Sequence, residues 1–456
     1  MRLGYDRIVL LIVVATSFMT PVMGSALNIA IPSIGREFSA SATMLSWIAT
    51  GYILATASCL LPAGRFADIR GRSRIYTAGI LLFSAATLLC GLVSSIEMLI
   101  FMRVIQGIGA SFIFSTGIAI LASVYPPERR GRALGYATAS TYVGLSAGPV
   151  LGGLISFHLG WRLIFYLTAV LALAIFFVAW RFLKRDVATA AGQRFDIAGG
   201  ALYMSGLIAS LYGFAFLLEG VLPVGLLITG LVLLAGFVRL QLKREHPLLD
   251  VRLFSENLTF AFSNLAAMIN YSATFAVGFL ASMHLQLVMG LDARISGWVM
   301  LSQPLLMALF SPFAGRLSDK VEPRIVASVG MALTTVGLFL FAFVTEQTRL
   351  PVVMAELALI GLGFAFFSSP NNNAIMGAVA KEQYGVAASS LATMRMTGQA
   401  VSMSIVALVM VAAGGKTAVG AEAAGVVLGS IQLSLGIFTV LSAVGIFFSL
   451  KRGRVR

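Results

Sequence analysis

The strongest limit on how this chain can fold is a succession of apolar runs, each roughly 20 residues long, with charge gathered in the turns between them. Only a helix or a strand of a closed barrel can carry the backbone N–H and C=O groups of such a run through hydrocarbon. The runs do not alternate apolar with polar residues, so helices are expected and barrel strands are not. Apolar residues make up 59% of the chain and charged residues 11%, and the mean hydropathy is +0.94. A soluble domain carries roughly twice that charge, so the chain is an integral membrane protein. Apolar length and flanking breakers place the first six runs at about 8–32, 44–66, 75–95, 97–121, 131–157 and 161–183. A pair follows at about 197–218 and 222–241. The last six lie at about 258–287, 292–316, 325–345, 350–377, 386–413 and 425–450.

The chain also repeats itself. Pro62-Ala-Gly64-Arg65-Phe-Ala-Asp68 returns as Pro312-Phe-Ala-Gly315-Arg316-Leu-Ser-Asp319, with Gly315 lying 251 residues after Gly64. Trp298 repeats Trp47 at the same distance, and Gly361-Leu-Gly363 repeats Gly107-Ile-Gly109 at 254. Six spans with short connections fill about 190 residues and eight fill about 250, so two spans stand between homologous halves. The expected fold is all-α, with two pseudo-symmetric six-helix bundles and two inserted central helices, fourteen spans in all. Its parts are residues 1–185, 186–250 and 251–456. The stretch from Leu248 to Phe254 is amphipathic and is expected to lie along the membrane surface. An internal repeat with polar irregularities at matching positions is the pattern of an alternating-access carrier.

The net charge of +14 follows from topology. With the N-terminus in the cytoplasm, the basic clusters at 65–74, 129–132, 184–194, 243–252 and 451–456 all fall on the cytoplasmic side. Arg36, Arg162, Arg294, Arg349 and Lys416 then face outward. This places the protein in the cytoplasmic (inner) membrane with both termini inside, and it gives no role to nucleic acid. Arg2 and Arg7 precede an apolar run too long for a signal peptide and without a small-residue cleavage site, so an uncleaved first span is expected. Cys59 and Cys90 both lie in apolar runs, which excludes a disulfide framework. His158, His246 and His284 show no metal-ligand spacing, and no nucleophile elbow, phosphate loop or zinc pattern is present. The chain is therefore not read as an enzyme. A channel needs a symmetric oligomer and a filter loop, whereas a repeat within one chain suits a carrier acting as a monomer.

Several local signals carry mechanism. Gly64-Arg-Phe-Ala-Asp68-Ile-Arg70-Gly71-Arg72-Ser-Arg74 puts one carboxylate among arginines at a helix end. Such a group can latch and release as bundles rock, or it can be a basic loop with one counter-ion. Gly64, Asp68 and Arg72, with Gly315 and Asp319 in the second half, are the latch candidates. Gly144, Gly148, Pro149 and Gly152, in the run from Gly135 to Gly153, let helices approach closely around a fixed bend and are the hinge candidates. Arg103, well inside an apolar run, faces a cavity or is bonded to backbone carbonyls. Overlaying Gly361-Leu-Gly363 on Gly107-Ile-Gly109 puts Glu356 within one position of Arg103's counterpart. A carboxyl buried there can carry a proton, or it can pair with a neighbouring donor. Arg395 is a second intramembrane cation. Asn28, Asn270, Gln303, Asn371 and Gln399 line a cavity or bond neighbouring helices.

Together these motifs resemble the major facilitator superfamily, and in particular its fourteen-span drug:proton antiporter branch. The resemblance covers essentially the whole chain. Gly64 to Arg74 is similar to the loop motif of the superfamily and Arg103 to Gly109 to its fourth-helix motif. Gly135 to Gly153 resembles the fifth-helix motif of exporters. Asn28-Ile-Ala-Ile-Pro32, Trp161-Arg-Leu-Ile-Phe165, Ser369-Pro-Asn-Asn-Asn373 and Arg395-x2-Gly398 resemble signatures of the branch. The resemblance implies proton-coupled multidrug efflux by alternating access, driven by the proton gradient with no bound cofactor. It assigns Asp68 and Arg72 to the latch, Arg103 to proton coupling and Gly148-Pro149 to the hinge. Met23 departs from the branch, which usually has an aspartate nine residues before the proline that is Pro32 here. Buried cations then outnumber buried carboxylates, which favours neutral, zwitterionic or anionic substrates. A dedicated exporter or uptake carrier for one such metabolite is the other reading.

Overall fold

A computed structural model describes residues 4–183, 190, 192–318, 320–380, 383–413 and 423–453. The expected latch residue Asp319 lies outside them, as do Lys184, Arg185, Lys416, Arg454 and Arg456. The described chain is helical throughout its spans. The first six long helices are α1 Tyr5–Phe38, α2 Ala42–Arg70, α3 Arg72–Gly91, α4 Ile96–Val124, α5 Pro127–His158 and α6 Arg162–Phe182. Next come α7 Ile197–Ala215, α8 Val221–Gln241 and the short α9 Arg252–Glu256. The second half holds α10 Leu258–Thr274, α11 Val277–Met283, α12 Ala293–Met300, α13 Ser302–Ser318, α14 Pro323–Phe341, α15 Leu350–Gly377, α16 Tyr384–Ala412 and α17 Ala423–Lys451.

Helix boundaries follow local chemistry. Ser41 and Ser95 cap α2 and α4 by accepting from the N–H groups of Met44 and Met98, and Asp196 caps α7 through Gly199 N–H. Gly71 ends α2 at φ 107°, a conformation open to glycine, which lets α3 begin at the next residue. Thirteen helical segments among the described residues are long and apolar enough to cross a membrane, against fourteen expected runs. The difference is α5. It runs 32 residues, but its glycines, serines, threonines and basic start keep its hydropathy below that of the others. Two expected runs are interrupted. The ninth bends at Phe275–Ala276 and ends in a π-helical turn, His284–Val288, and the tenth divides at Leu301 between α12 and α13. The expected surface helix at 248–254 is also different. Leu248 and Leu249 precede α9, are buried, and join the apolar cluster of α2, α7, α8 and α16. Gln241 holds the turn by accepting from Leu248 N–H and donating to Asp196.

The sequence repeat is reproduced in the close contacts of four glycine pairs, though not at Trp298, which is exposed where Trp47 is stacked. A methyl group on Gly109 would fall 2.6 Å from Phe83 N and 3.1 Å from Gly79 O; on Gly363 it would fall 2.5 Å from Thr334 N and 2.7 Å from Gly330 O. Thr334 and Gly330 lie 251 residues after Phe83 and Gly79. The same correspondence pairs Gly64 against Ser115 with Gly315 against Ser369, and Gly107 on the Tyr52 backbone with Gly361 on the Gln303 backbone. It also pairs Gly144 on Phe18 with Gly398 on Met268. Glycines recur at these sites because helices pressed backbone to backbone leave no room for a Cβ. The inserted helix α7 packs against both α2 and α16. Trp47 of α2 stacks on Phe216 at the end of α7, and Tyr203 O–H donates to Ala57 O at 3.2 Å.

Candidate functional site

The first and second halves of the chain meet along a seam made by a few helices. Asn28 and Ile29 of α1 accept through their backbone carbonyls from Ser282 (2.5 Å) and Gln286 (2.8 Å). Farther round, α5 lies on α12. A Cβ on Gly153 would strike the Ala293 backbone, and one on Gly297 would strike the carbonyl of Pro149. The hinge candidates Gly144, Gly148 and Gly152, one residue and so about 100° away around α5, press it on α1, against Phe18, Ser25 and Ala26. Pro149 and its flanking glycines thus sit where α5 touches both its own half and the other.

Midway along the seam, Tyr142 of α5 reaches into the second half. It lies beside Ser311 of α13 and Ser368 of α15, and faces Tyr271 of α10 and Arg395 of α16. Tyr271 is held edge-on to Phe364, with ring centroids 5.2 Å apart. The Nε of Arg395 is buried without a hydrogen-bond partner, and no carboxylate pairs with this guanidinium among the described residues. Sequence reasoning singled out Arg395 but missed Tyr142, Tyr271, Ser311 and Ser368. A tyrosine or serine in a span carries no spacing signal until the helix faces are known.

Other candidates are placed elsewhere. Arg103, 3% exposed, donates to the Ile48 carbonyl at 3.1 Å and to the Gln106 side chain, and lies 4.2 Å over the Tyr52 ring. Gln106 donates onward to Thr87 at 2.6 Å. The network ties α2, α3 and α4 together inside the first half, which is the backbone-bonded alternative of the two weighed for Arg103. Its counterpart in the second half is Leu357, because Gly361 and Gly363 match Gly107 and Gly109 in their contacts. Glu356 stands one residue earlier and so is turned by about 100° around α15. It is 8% exposed, and its Oε2 has no partner.

Among the expected cavity residues, Asn371 is 1% exposed and bonded inside the second half. It donates to Ser263 O and accepts from Arg452 at 2.6 Å. Asn270 is fully buried with its amide unpartnered, Gln303 is half-buried beneath Gly361, and Gln399 is half-buried one turn from Arg395. Asn28 is at the seam. Arg452 was not foreseen. It is completely buried past the end of α17, and it also donates to Pro323 O at 2.9 Å. Burial pulls its pKa down to about 10, with Glu322 opposing and Arg324 adding to the fall, so it stays charged at neutral pH. In the latch segment, Asp68 pairs with Arg72 at 2.7 Å, Ala190 N–H donates to the Asp68 carbonyl, and Arg65 bonds Gln193. Gly315 repeats the packing of Gly64.

The family model described as Major Facilitator Superfamily matches residues 13–243 and 264–454. The chain belongs to the major facilitator superfamily. It is similar to the riboflavin transporter RibZ of Clostridioides difficile (strain 630), at 32% identity over 85% of this chain and 84% of the relative. It is also similar to the multidrug resistance protein Stp of Mycobacterium tuberculosis (strain ATCC 25618 / H37Rv), at 29% identity over 89% of this chain and 77% of the relative. A crystal structure of a bacterial homologue of the human lysosomal transporter Spinster shares the fold, with a TM-score of 0.71 and 16% identity over 98% of this chain and 97% of the other. This facilitator is therefore a multi-pass membrane transporter and not an enzyme.

Proposed function

We propose that the protein exports amphipathic small molecules in exchange for protons by alternating access. One observation carries this reading. Two halves that repeat each other's contacts meet at a seam, and Tyr142 of the first half there faces Arg395, Ser311 and Ser368 of the second. A polar cluster between two repeated units is where rocking would expose a ligand first to one side and then to the other. In this reading α5 is the fourteenth span, the halves are two six-helix bundles with α7 and α8 inserted, and the molecule works as a monomer. It lies in the inner membrane with both termini in the cytoplasm, as the placement of its basic clusters favours. The seat of Pro149 on α12 closes the outward end, and the Asp68–Arg72 pair belongs to the opposite, cytoplasmic latch.

Glu356 is the proton carrier in this scheme, because it is 8% exposed inside α15 and its Oε2 has no hydrogen-bond partner to hold it to a structural role. Expression in a host stripped of its own efflux pumps, scored for survival across cationic, neutral, zwitterionic and anionic amphiphiles, tests the export reading. Protection against unrelated scaffolds supports it. Protection against none of them sinks it and favours a second reading, a carrier dedicated to one metabolite. The likeness to a riboflavin transporter is the observation behind that alternative.

A further inference from the structure

We infer that Arg395, with Tyr142, is the recognition point for an anionic group, so that the transported amphiphiles are organic anions with an aromatic or apolar body. The inference deepens the transport reading and rests on it. A guanidinium taken out of water needs acceptors, and Arg103 and Arg452 have theirs in carbonyl and amide oxygens. Half-buried Arg395 lacks such a set among the described residues: its Nε is buried without a partner and, unlike Arg452, whose Nε is also unpartnered, it makes no hydrogen bond or ion pair through its other nitrogens. Glu356 does not neutralise it. Ser368, level with the cluster, lies 12 residues farther along α15, which places Glu356 about 18 Å away along the helix.

The surroundings suit one ligand chemistry. A carboxylate can take two parallel N–H donors from the planar guanidinium fork and a third hydrogen bond from the Tyr142 hydroxyl. The Tyr271 and Phe364 rings, set edge to face, offer an apolar wall for the rest of the molecule. A cation placed here would meet the like charge of Arg395, with no acid of the described residues paired to it as an offset. The cluster draws on α5 of the first half and α10, α13, α15 and α16 of the second, so a ligand bridging Tyr142 and Arg395 would hold the halves together at the seam.

Isothermal titration of the full chain in lipid nanodiscs against pyrenecarboxylate, pyrenemethanol and pyrenemethylamine tests the assignment, since the three share one aromatic body. The carboxylate is expected to bind about tenfold or more tighter than the alcohol, and the amine weakest. Arg395→Gln is expected to erase that preference while leaving alcohol affinity within about twofold, and Tyr142→Phe to weaken the carboxylate about threefold to tenfold. Should Arg395→Gln fail to fold, Arg395→Lys is expected to keep the order of the three probes with a weaker carboxylate. Equal affinities in the unmodified protein, or a preference untouched by both Arg395→Gln and Tyr142→Phe, would overturn the inference. Binding is measured without a gradient. Carboxylate-selective binding in a protein that moves nothing would sink the export reading and leave this site standing, whereas charge-blind transport would do the reverse.

Discussion

Gly109→Ala and Gly363→Ala are expected to destabilise the protein by nearly equal amounts. The added methyl at Gly109 meets the Phe83 backbone at 2.6 Å, and at Gly363 it meets Thr334 N and Oγ1 at 2.5 Å. Ordinary contact begins near 3.4 Å, so each helix pair must part by a little under about 1 Å. The obstructing atoms belong mainly to backbone, so no side-chain rotation relieves them and α3 or α14 must move as a body. Overpacking of this kind costs about 1–3 kcal/mol, against which alanine's better helix propensity returns up to about 1 kcal/mol. The net loss is therefore about 1–2 kcal/mol at each site. The two sites lie in different halves and share no neighbour, so the double variant should lose the sum within about 0.5 kcal/mol. Gly225→Ala is the control, because nothing lies within 4 Å of its added methyl and no loss is expected. Unfolding free energies from steric trapping in bicelles give the readout. A loss at one glycine with none at the other would refute the claim that both halves are held by the same close helix pair.

Three further outcomes follow from the buried polar groups. Arg103→Ala strands Gln106 and the Ile48 carbonyl and should lower stability by about 2–4 kcal/mol in the same assay. Arg103→Lys should not restore it, because an ammonium cannot reach both partners and cover Tyr52 in the same geometry. Arg452→Ala removes the donors to Asn371 and Pro323 and is expected to cost about 2–3 kcal/mol, with thermal unfolding of the second half reporting the loss. Glu356→Gln should leave thermal stability unchanged or raised, since a neutral amide is cheaper to bury, while gradient-driven transport falls about tenfold or more.

The spans and the repeat were legible in the sequence because both rest on strong physical constraints. Hydrocarbon thickness sets the length of the apolar runs, and glycines mark helix pairs that touch through backbone. The carboxylate among arginines at a helix end was legible, and it becomes the Asp68–Arg72 pair that joins the last turn of α2 to the first residue of α3 across Gly71. Rotation about each helix axis was not legible from composition. Glu356 lies beside the counterpart of Arg103 in sequence yet points elsewhere, and Asn371 proved to be a partner of Arg452 inside one half. The break at Leu301 has a local cause, since Pro304 lacks an N–H for the Met300 carbonyl four residues earlier and its ring crowds that carbonyl, whereas the bend at Phe275–Ala276 has no proline to mark it. Tyr142 shows the same limit: its role depends on which helices of the other half it meets.

The most direct test of proton-coupled alternating access uses proteoliposomes with pyranine in an acidic lumen, challenged from outside with pyrenecarboxylate, pyrenemethanol and pyrenemethylamine in turn. At least one probe is expected to accumulate inside faster than in protein-free vesicles while the lumen turns alkaline, and Glu356→Gln to lower both carrier-dependent signals about tenfold or more. Accumulation that proceeds at the same rate with the gradient collapsed by an ionophore, without any movement of protons, would contradict that expectation.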